Sequence, residues 1–269
     1  MIKFLRKLFA PPVPEPAAEP PVSLNRYGWK KDDADPRDHV FALLSATLPP
    51  KADLRGGMPV VYDQGNLGSC SSQAIAAAIQ FARIKQGLPD YTPSRLFIYW
   101  YERYMENTVS QDAGAMLRDG FKVINKQGAP RESHWLYLPS RFTQKPSLLV
   151  TLEARLHPSV SYAAVAQNEV AIKSALAGGY PVSFGFIVYM GFESAEVART
   201  GVVAMPLPGE QKVGGHAVLI CGFNDQTQMF VCRNSWGAGW GDAGYFYMPY
   251  AYVLDPNLGF DFWVLTAVK

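Results

Sequence analysis

Apolar residues recur at helical spacing in the run CSSQAIAAAIQFARIKQG, which begins at Cys70 and carries Ile75, Ile79, Phe81 and Ala82. Serines at its opening and Gly87 at its end are residues that start and stop helices, so the run predicts a long buried helix. Helical character returns over residues 93–104, after the turn Leu88-Pro89-Asp90, over 114–125, closed by Gln127-Gly128, and over 168–177. The pattern then changes. PVSFGFIVY, GHAVLICGF, MFVCRNSW and GYFYMPY alternate or run apolar between glycines and the polar turn Asn224-Asp225-Gln226, and each predicts a strand. The expected fold class is α+β, with helices gathered in the first half of the body and strands in the second.

Neither period holds before residue 48. The opening MIKFLRKLFA mixes Lys3, Arg6 and Lys7 with Phe4, Leu5, Leu8 and Phe9. Its apolar run is broken by Arg6 and Lys7 and ended by Pro11, short of the ~7–15 uninterrupted residues of a secretory signal. An amphipathic turn against a membrane surface, or packed on the protein, fits it equally well. Residues 11–22, PPVPEPAAEPPV, hold six prolines, which donate no backbone hydrogen bonds and favour an extended linker. In the next stretch Tyr27, Trp29, His39, Val40 and Phe41 stand among many charges, too few to build a core. The expected organisation is a basic, proline-rich tail and linker at 1–24, a short extension at 25–47 and one body at 48–269.

Composition narrows the possibilities. The 269 residues are 48% hydrophobic and 13% aromatic, enough to bury one sizeable core. A net charge of +2, from 25 basic and 23 acidic residues interspersed along the chain, offers no field that points to nucleic acid. No stretch approaches the ~20 apolar residues of a membrane span. The cysteines number three, so at least one thiol is free. Cys221 and Cys232 lie in apolar strand runs and read as buried reduced thiols, whereas Cys70 sits among Gly68, Ser69, Ser71 and Ser72 at a helix opening.

That position favours chemistry, because backbone dipoles at a helix amino-terminus stabilise a thiolate. A thiolate that attacks a carbonyl needs a base that later protonates the leaving group, and imidazole suits both steps. Of the histidines, His39 lies in the extension, His134 in the turn-like RESHW and His157 before Pro158. His216 follows Gly214-Gly215 and opens an apolar strand, where a substrate would have room, although a structural histidine is the alternative. Asn234, at the end of the next strand, can orient the imidazole, and Gln64 can reach an oxyanion together with the Cys70 amide. Taken singly, each amide also reads as a loop-stabilising group.

As a set these residues carry a resemblance. QGNLGSCSSQA at 64–74 resembles the nucleophile segment of the papain family of cysteine peptidases. GGHAVLICGF at 214–223 is similar to its histidine strand, and NSWGAGWGDAGYF at 234–246 to its asparagine segment. YTPSRLFIYW, DAGAMLRDG and the stretch from Asn168 through Ser183 extend the likeness over about 54–250. The resemblance implies a helical lobe and an antiparallel, barrel-like sheet lobe with a cleft between them. It implies a thioester route to peptide hydrolysis with Cys70 as nucleophile, His216 as acid and base, Asn234 as orienter, Gln64 in the oxyanion hole and Trp236 shielding the Asn–His bond. Gly68, Gly114 and Gly215 would meet the substrate, and Met116, Gly185, Gly214 and Ala217 would wall a roomy apolar pocket for the residue two positions before the cut. No metal or other cofactor is expected.

Two departures stand out. Ser71 occupies the place of the usual tryptophan, and Leu67 that of a frequent disulfide cysteine. Without those bridges the compartment stays open. Residues 25–47 would serve as a short propeptide-like segment, lying across the cleft to bury Tyr27, Trp29, Val40 and Phe41 and holding a monomeric zymogen partly inhibited. A peptide-binding relative without activity would lack one of the catalytic residues, all of which are present. An acyltransferase would use the same thiol and base.

Overall fold

The computed structural model describes residues 26–42 and 47–269, so the expected tail and linker at 1–24 lie outside the described residues. Four helices form one side of the molecule: α1 (Cys70–Lys85), α2 (Arg95–Met105), α3 (Leu117–Lys126) and α4 (Leu148–Ala154). The first is buried along nearly its whole length. Its alanines let the backbone approach its neighbours closely, and Ile75, Ala76 and Ile79 cluster with Phe121 and Ile124 of α3. Ser94 caps α2 by accepting from the Phe97 amide, and Ser147 caps α4 through Val150, as hydroxyls at helix openings do.

The second half is a seven-stranded sheet. Its strands are β2 (Lys51–Asp53), β4 (Ser159–Ala164), β5 (Val182–Tyr189), β6 (Lys212–Asn224), β7 (Met229–Arg233), β8 (Tyr245–Pro249) and β9 (Gly259–Val268). Their order is β4-β9-β5-β6-β7-β8, with β2 added to β6, and every pairing among them is antiparallel. Helix α5 (Glu169–Ala177), capped by Asn168, packs over one face. Phe184, Phe186 and Val188 of β5 meet Phe230 and Phe246 there in the larger core. Ala217 and Leu219 of β6 and Trp263 and Leu265 of β9 join the residues of α1 and α3 in a second core, which bonds the two halves together. The result is the expected two-lobed α+β arrangement.

Two expectations need correction. The helix over 114–125 begins only at Leu117, because Ala115 and Met116 form a short strand, β3 (Ala115–Met116). Its partner is in the extension: β1 (Trp29–Lys30) runs parallel to it, Trp29 beside Ala115 and Lys30 beside Met116. The extension also divides. Trp29 is 7% exposed, but Val40 is 71% exposed, and Phe41 packs edge-on against Tyr180 at 5.7 Å. Residues 39–41 run beside the end of β4, where the Phe41 amide donates to the Ala164 carbonyl at 2.7 Å, and they leave the groove to Tyr27 and Trp29.

Candidate active site

Cys70 is the first residue of α1 and fully buried, and the backbone N–H groups of Ala217, Gly28 and Ser71 lie where they favour its thiolate. Burial nevertheless outweighs those donors and pushes the thiol up to about 11, since a charged thiolate has no water around it. Opposite, β6 carries His216 one residue before Ala217, paired with Phe186 of β5. Its Nε2 donates to Asn234 Oδ1 at 2.8 Å, which leaves Nδ1 as the acceptor, and Nδ1 has no hydrogen-bond partner among the described residues. Burial holds this imidazole down at about 3, so the resting pair is neutral thiol and neutral ring.

The groups around the ring fix it. Asn234 follows β7, its Oδ1 also accepts the Ser235 backbone N–H at 2.8 Å, and its own backbone N–H donates to the Gly244 carbonyl at 3.0 Å. Trp236 stacks on His216 with centroids 5.0 Å apart, covering the histidine–asparagine bond with an apolar face. Gln64 is held by Ser235, whose hydroxyl donates to Oε1 at 2.6 Å, and this turns its amide nitrogen toward the cleft. That nitrogen donates to the Leu67 carbonyl at 2.8 Å and to the Arg26 carbonyl at 2.9 Å. Four residues read from sequence as one constellation therefore meet around one cleft. The other histidines are engaged elsewhere: His134 pairs with Glu153 at 2.7 Å and His157 packs on Tyr91.

The cleft is occupied by the extension itself. Gly28 passes where a side chain has no room, since a Cβ on it would fall inside the Gly68 carbonyl, and a Cβ on Gly114 would fall inside the Gly28 carbonyl. The Gly28 carbonyl accepts the Ala115 amide at 2.7 Å. Trp29 lies in the space left by Gly185 and Gly215, stacked on Phe260 at 5.7 Å, and Tyr27 lies against Gly214 and the edge of His216. Ala217 belongs to the same buried cluster as Trp29, and Met116 pairs with Lys30, its amide donating to Glu106 at 2.8 Å. Every pocket position expected from sequence thus touches or adjoins the segment.

Several participants were not legible beforehand. Arg26 stands with its guanidinium 3.6 Å above the Trp236 ring and pairs with Glu193. Asp32 accepts from the Arg118 amide at 3.1 Å and from Trp263 Nε1 at 2.8 Å, and its own amide donates to Asp261 at 2.8 Å. Ser71 donates at 2.9 Å to Glu102, a fully buried carboxyl that burial pushes far up. Gly28 between two aromatic residues was the one signal in the sequence that a backbone must pass something closely there. All three cysteines are free and buried, and no candidate metal cluster occurs among the described residues.

Comparison with known proteins points one way. Residues 48–253 match the family model described as papain family cysteine protease. An uncharacterised peptidase C1-like protein of Acanthamoeba polyphaga mimivirus is 42% identical over 270 residues, covering 90% of this chain and 87% of that protein. The crystal structure of xylellain, a cysteine protease from Xylella fastidiosa, superposes with a TM-score of 0.86 at 40% identity, covering 91% of this chain and 97% of the other. Procathepsin L 3 of the Tenebrio molitor larval midgut, at 18% identity and a TM-score of 0.68, shares the fold over 88% of this chain and 76% of its own.

Proposed function

The chain belongs to the papain family of cysteine proteases and is a cysteine peptidase, and we propose that Cys70, His216, Asn234 and Gln64 carry its reaction while residues 26–32 hold it inhibited. The observation that carries the assignment is the orientation of His216: Nε2 is committed to Asn234 and the vacant Nδ1 is free to take the thiol proton. In the reaction Nδ1 removes that proton, the sulfur attacks the peptide carbonyl, and the oxyanion forms between the Gln64 amide and the Cys70 backbone N–H. Collapse breaks the C–N bond, and the imidazolium gives its proton to the departing amine. Water, deprotonated by the same ring, then cleaves the thioester and restores the thiol.

Inhibition follows from what the segment presents. The Gln64 amide nitrogen is satisfied by the Arg26 carbonyl, and Gly28 passes against Gly68 and Gly114, so the segment fills the site. In the covered site burial raises the thiol and lowers the imidazole, which disfavours the charged pair that attacks best. Peptide turnover and carboxymethylation by iodoacetate test the assignment together: Cys70→Ala should remove both and leave the thermal midpoint within a few degrees, and residual turnover would end it.

A further inference from the structure

Peptide hydrolysis needs no cation pocket, yet the cleft holds a built one. The Arg26 guanidinium lies 3.6 Å over the Trp236 ring, an arrangement that favours cations. Its Nη2 pairs with Glu193, whose side chain is only 7% exposed, on the short helical turn Met190–Glu193 after β5. Phe192 closes the far side, edge-on to Trp236 at 5.5 Å, and Trp240 backs the same indole at 5.0 Å. Burial raises the Glu193 carboxyl and the Arg26 charge draws it back down. When the segment leaves, that charge leaves with it, and Glu193 loses the cation it pairs with.

We propose that this pocket is a substrate subsite for a guanidinium or ammonium side chain on the carboxyl-terminal side of the scissile bond, with Glu193 as the specificity-determining residue. The inference rests on the assignment of Cys70 and His216 and adds a substrate class to it. His216 must stand on the leaving-group side, because it protonates the departing amine, and Trp236 is stacked on that ring. Trp29, by contrast, fills the space beside Gly185 and Gly215, the pocket assigned to a residue before the bond. Arg26 lies instead on Trp236, on the histidine side of the site. The segment uses the pocket imperfectly: Glu193 Oε1 and Arg26 Nε have no hydrogen-bond partner among the described residues. A substrate arginine can therefore add a second bond, in the forked geometry that carboxylates accept best.

The full-length chain with Gly28→Ala supplies an open site, because the added methyl cannot pass the Gly68 carbonyl. Internally quenched peptides that differ only at the first or second residue after the bond would carry arginine, neutral citrulline, leucine or glutamate there. Arginine should exceed citrulline roughly tenfold in kcat/KM at one of the two positions. Glu193→Gln should bring arginine down to citrulline, and Glu193→Lys should make glutamate the better substrate. Equal cleavage of the arginine and citrulline peptides, or an arginine preference intact in Glu193→Gln, overturns the subsite while leaving the peptidase assignment standing. Cleavage of none of the peptides overturns that assignment and the subsite with it.

Discussion

The catalytic body and the segment that covers it are held by different forces. Around Cys70, α1 is set between aliphatic and aromatic side chains of both lobes, and the amides that orient His216 and the oxyanion site are both bonded to Ser235. The segment buries Trp29 and rests Tyr27 and Phe41 on the edge of the larger core, but much of its hold is polar: Lys30 with Glu106 at 2.8 Å, Asp38 with Arg118 at 2.6 Å, Arg26 with Glu193, and the Asp32 amide on Asp261. Packed apolar surface resists changes of condition, whereas ion pairs and titratable contacts yield to pH and salt. If the segment inhibits as proposed, the active site is permanent and its cover conditional. Tethering makes such a cover sufficient, since a linked segment reaches an effective concentration of the order of millimolar.

Substitutions in the body should produce the largest effects and leave the cover in place. His216→Ala removes the base itself and should lower kcat/KM by about 10³-fold or more, while Asn234→Ala removes only its orientation and should lose about tenfold to 10²-fold. Steady-state kinetics in the Gly28→Ala background compares them without interference from the segment. Equal losses would mean that Asn234 does more than hold the ring.

Breaking the cover alone should work in the opposite direction. Gly28→Ala forces a methyl against the Gly68 backbone, so docking is lost while every catalytic group is kept. Iodoacetate labelling of Cys70 and turnover of a small peptide should rise by about 10²-fold, the occupancy lost when a millimolar tether no longer meets its site. Deleting residues 1–47 should match it. Identical rates in wild type and both variants would return the segment to a structural role.

The same division explains how much was legible beforehand. Cys70, His216 and Asn234 stand in local signals, a helix opening, a glycine pair beside an apolar run and a strand end, although β6 starts at Lys212 and holds the glycine pair within it rather than after it. Met116 and Ala115 were read as helix because their strand pairs with only two residues of the extension, a long-range contact that no local period records. Val40 was counted as an anchor on hydrophobicity alone, yet its place along β4 leaves the side chain in solvent. Arg26, Asp32, Glu193 and Asp261 resemble any surface charge until the fold brings residues more than 160 positions apart into contact.

The polar half of the cover predicts a pH response. Burial, then the charge of Asp261, holds the Asp32 carboxyl at about 7 in the docked segment, and Asp261 is raised as well, while Arg118 and Lys31 oppose these shifts only in part. A freed Asp32 returns to its ordinary value of 3.8, so docking takes up a proton. Docking is then strongest below ~4, weakens by up to about tenfold per pH unit as pH rises toward ~7, and is constant above. Asp32→Asn keeps an acceptor for the Arg118 amide and cannot titrate. The ratio of labelling rates between wild type and Gly28→Ala should climb from pH 5 to pH 7 and become flatter in Asp32→Asn. A ratio independent of pH in wild type would assign the closure to Trp29 and the backbone alone.

The smallest effect concerns what replaces Trp29 once the cover is gone. Its indole shows what the pocket accepts: no side chain at Gly185 or Gly215, Ala217 nearby, and a Phe260 face for stacking. Substrates with Leu, Phe or Val two positions before the bond should therefore surpass those with Arg or Asp by about tenfold in kcat/KM, within the ~1–3 kcal/mol that apolar pocket contacts supply. One group argues against this outcome. Asp261 follows Phe260 directly, and Lys31 of the segment lies 4.2 Å from the Phe260 ring, so a cation is already tolerated at the pocket's edge. The two walls make opposite demands, and a dipeptide panel on Gly28→Ala separates them. An apolar order shows that Phe260 and the glycines govern entry; an arginine preference that disappears in Asp261→Asn would show that the carboxylate does, and that Trp29 fills the pocket without representing the substrate.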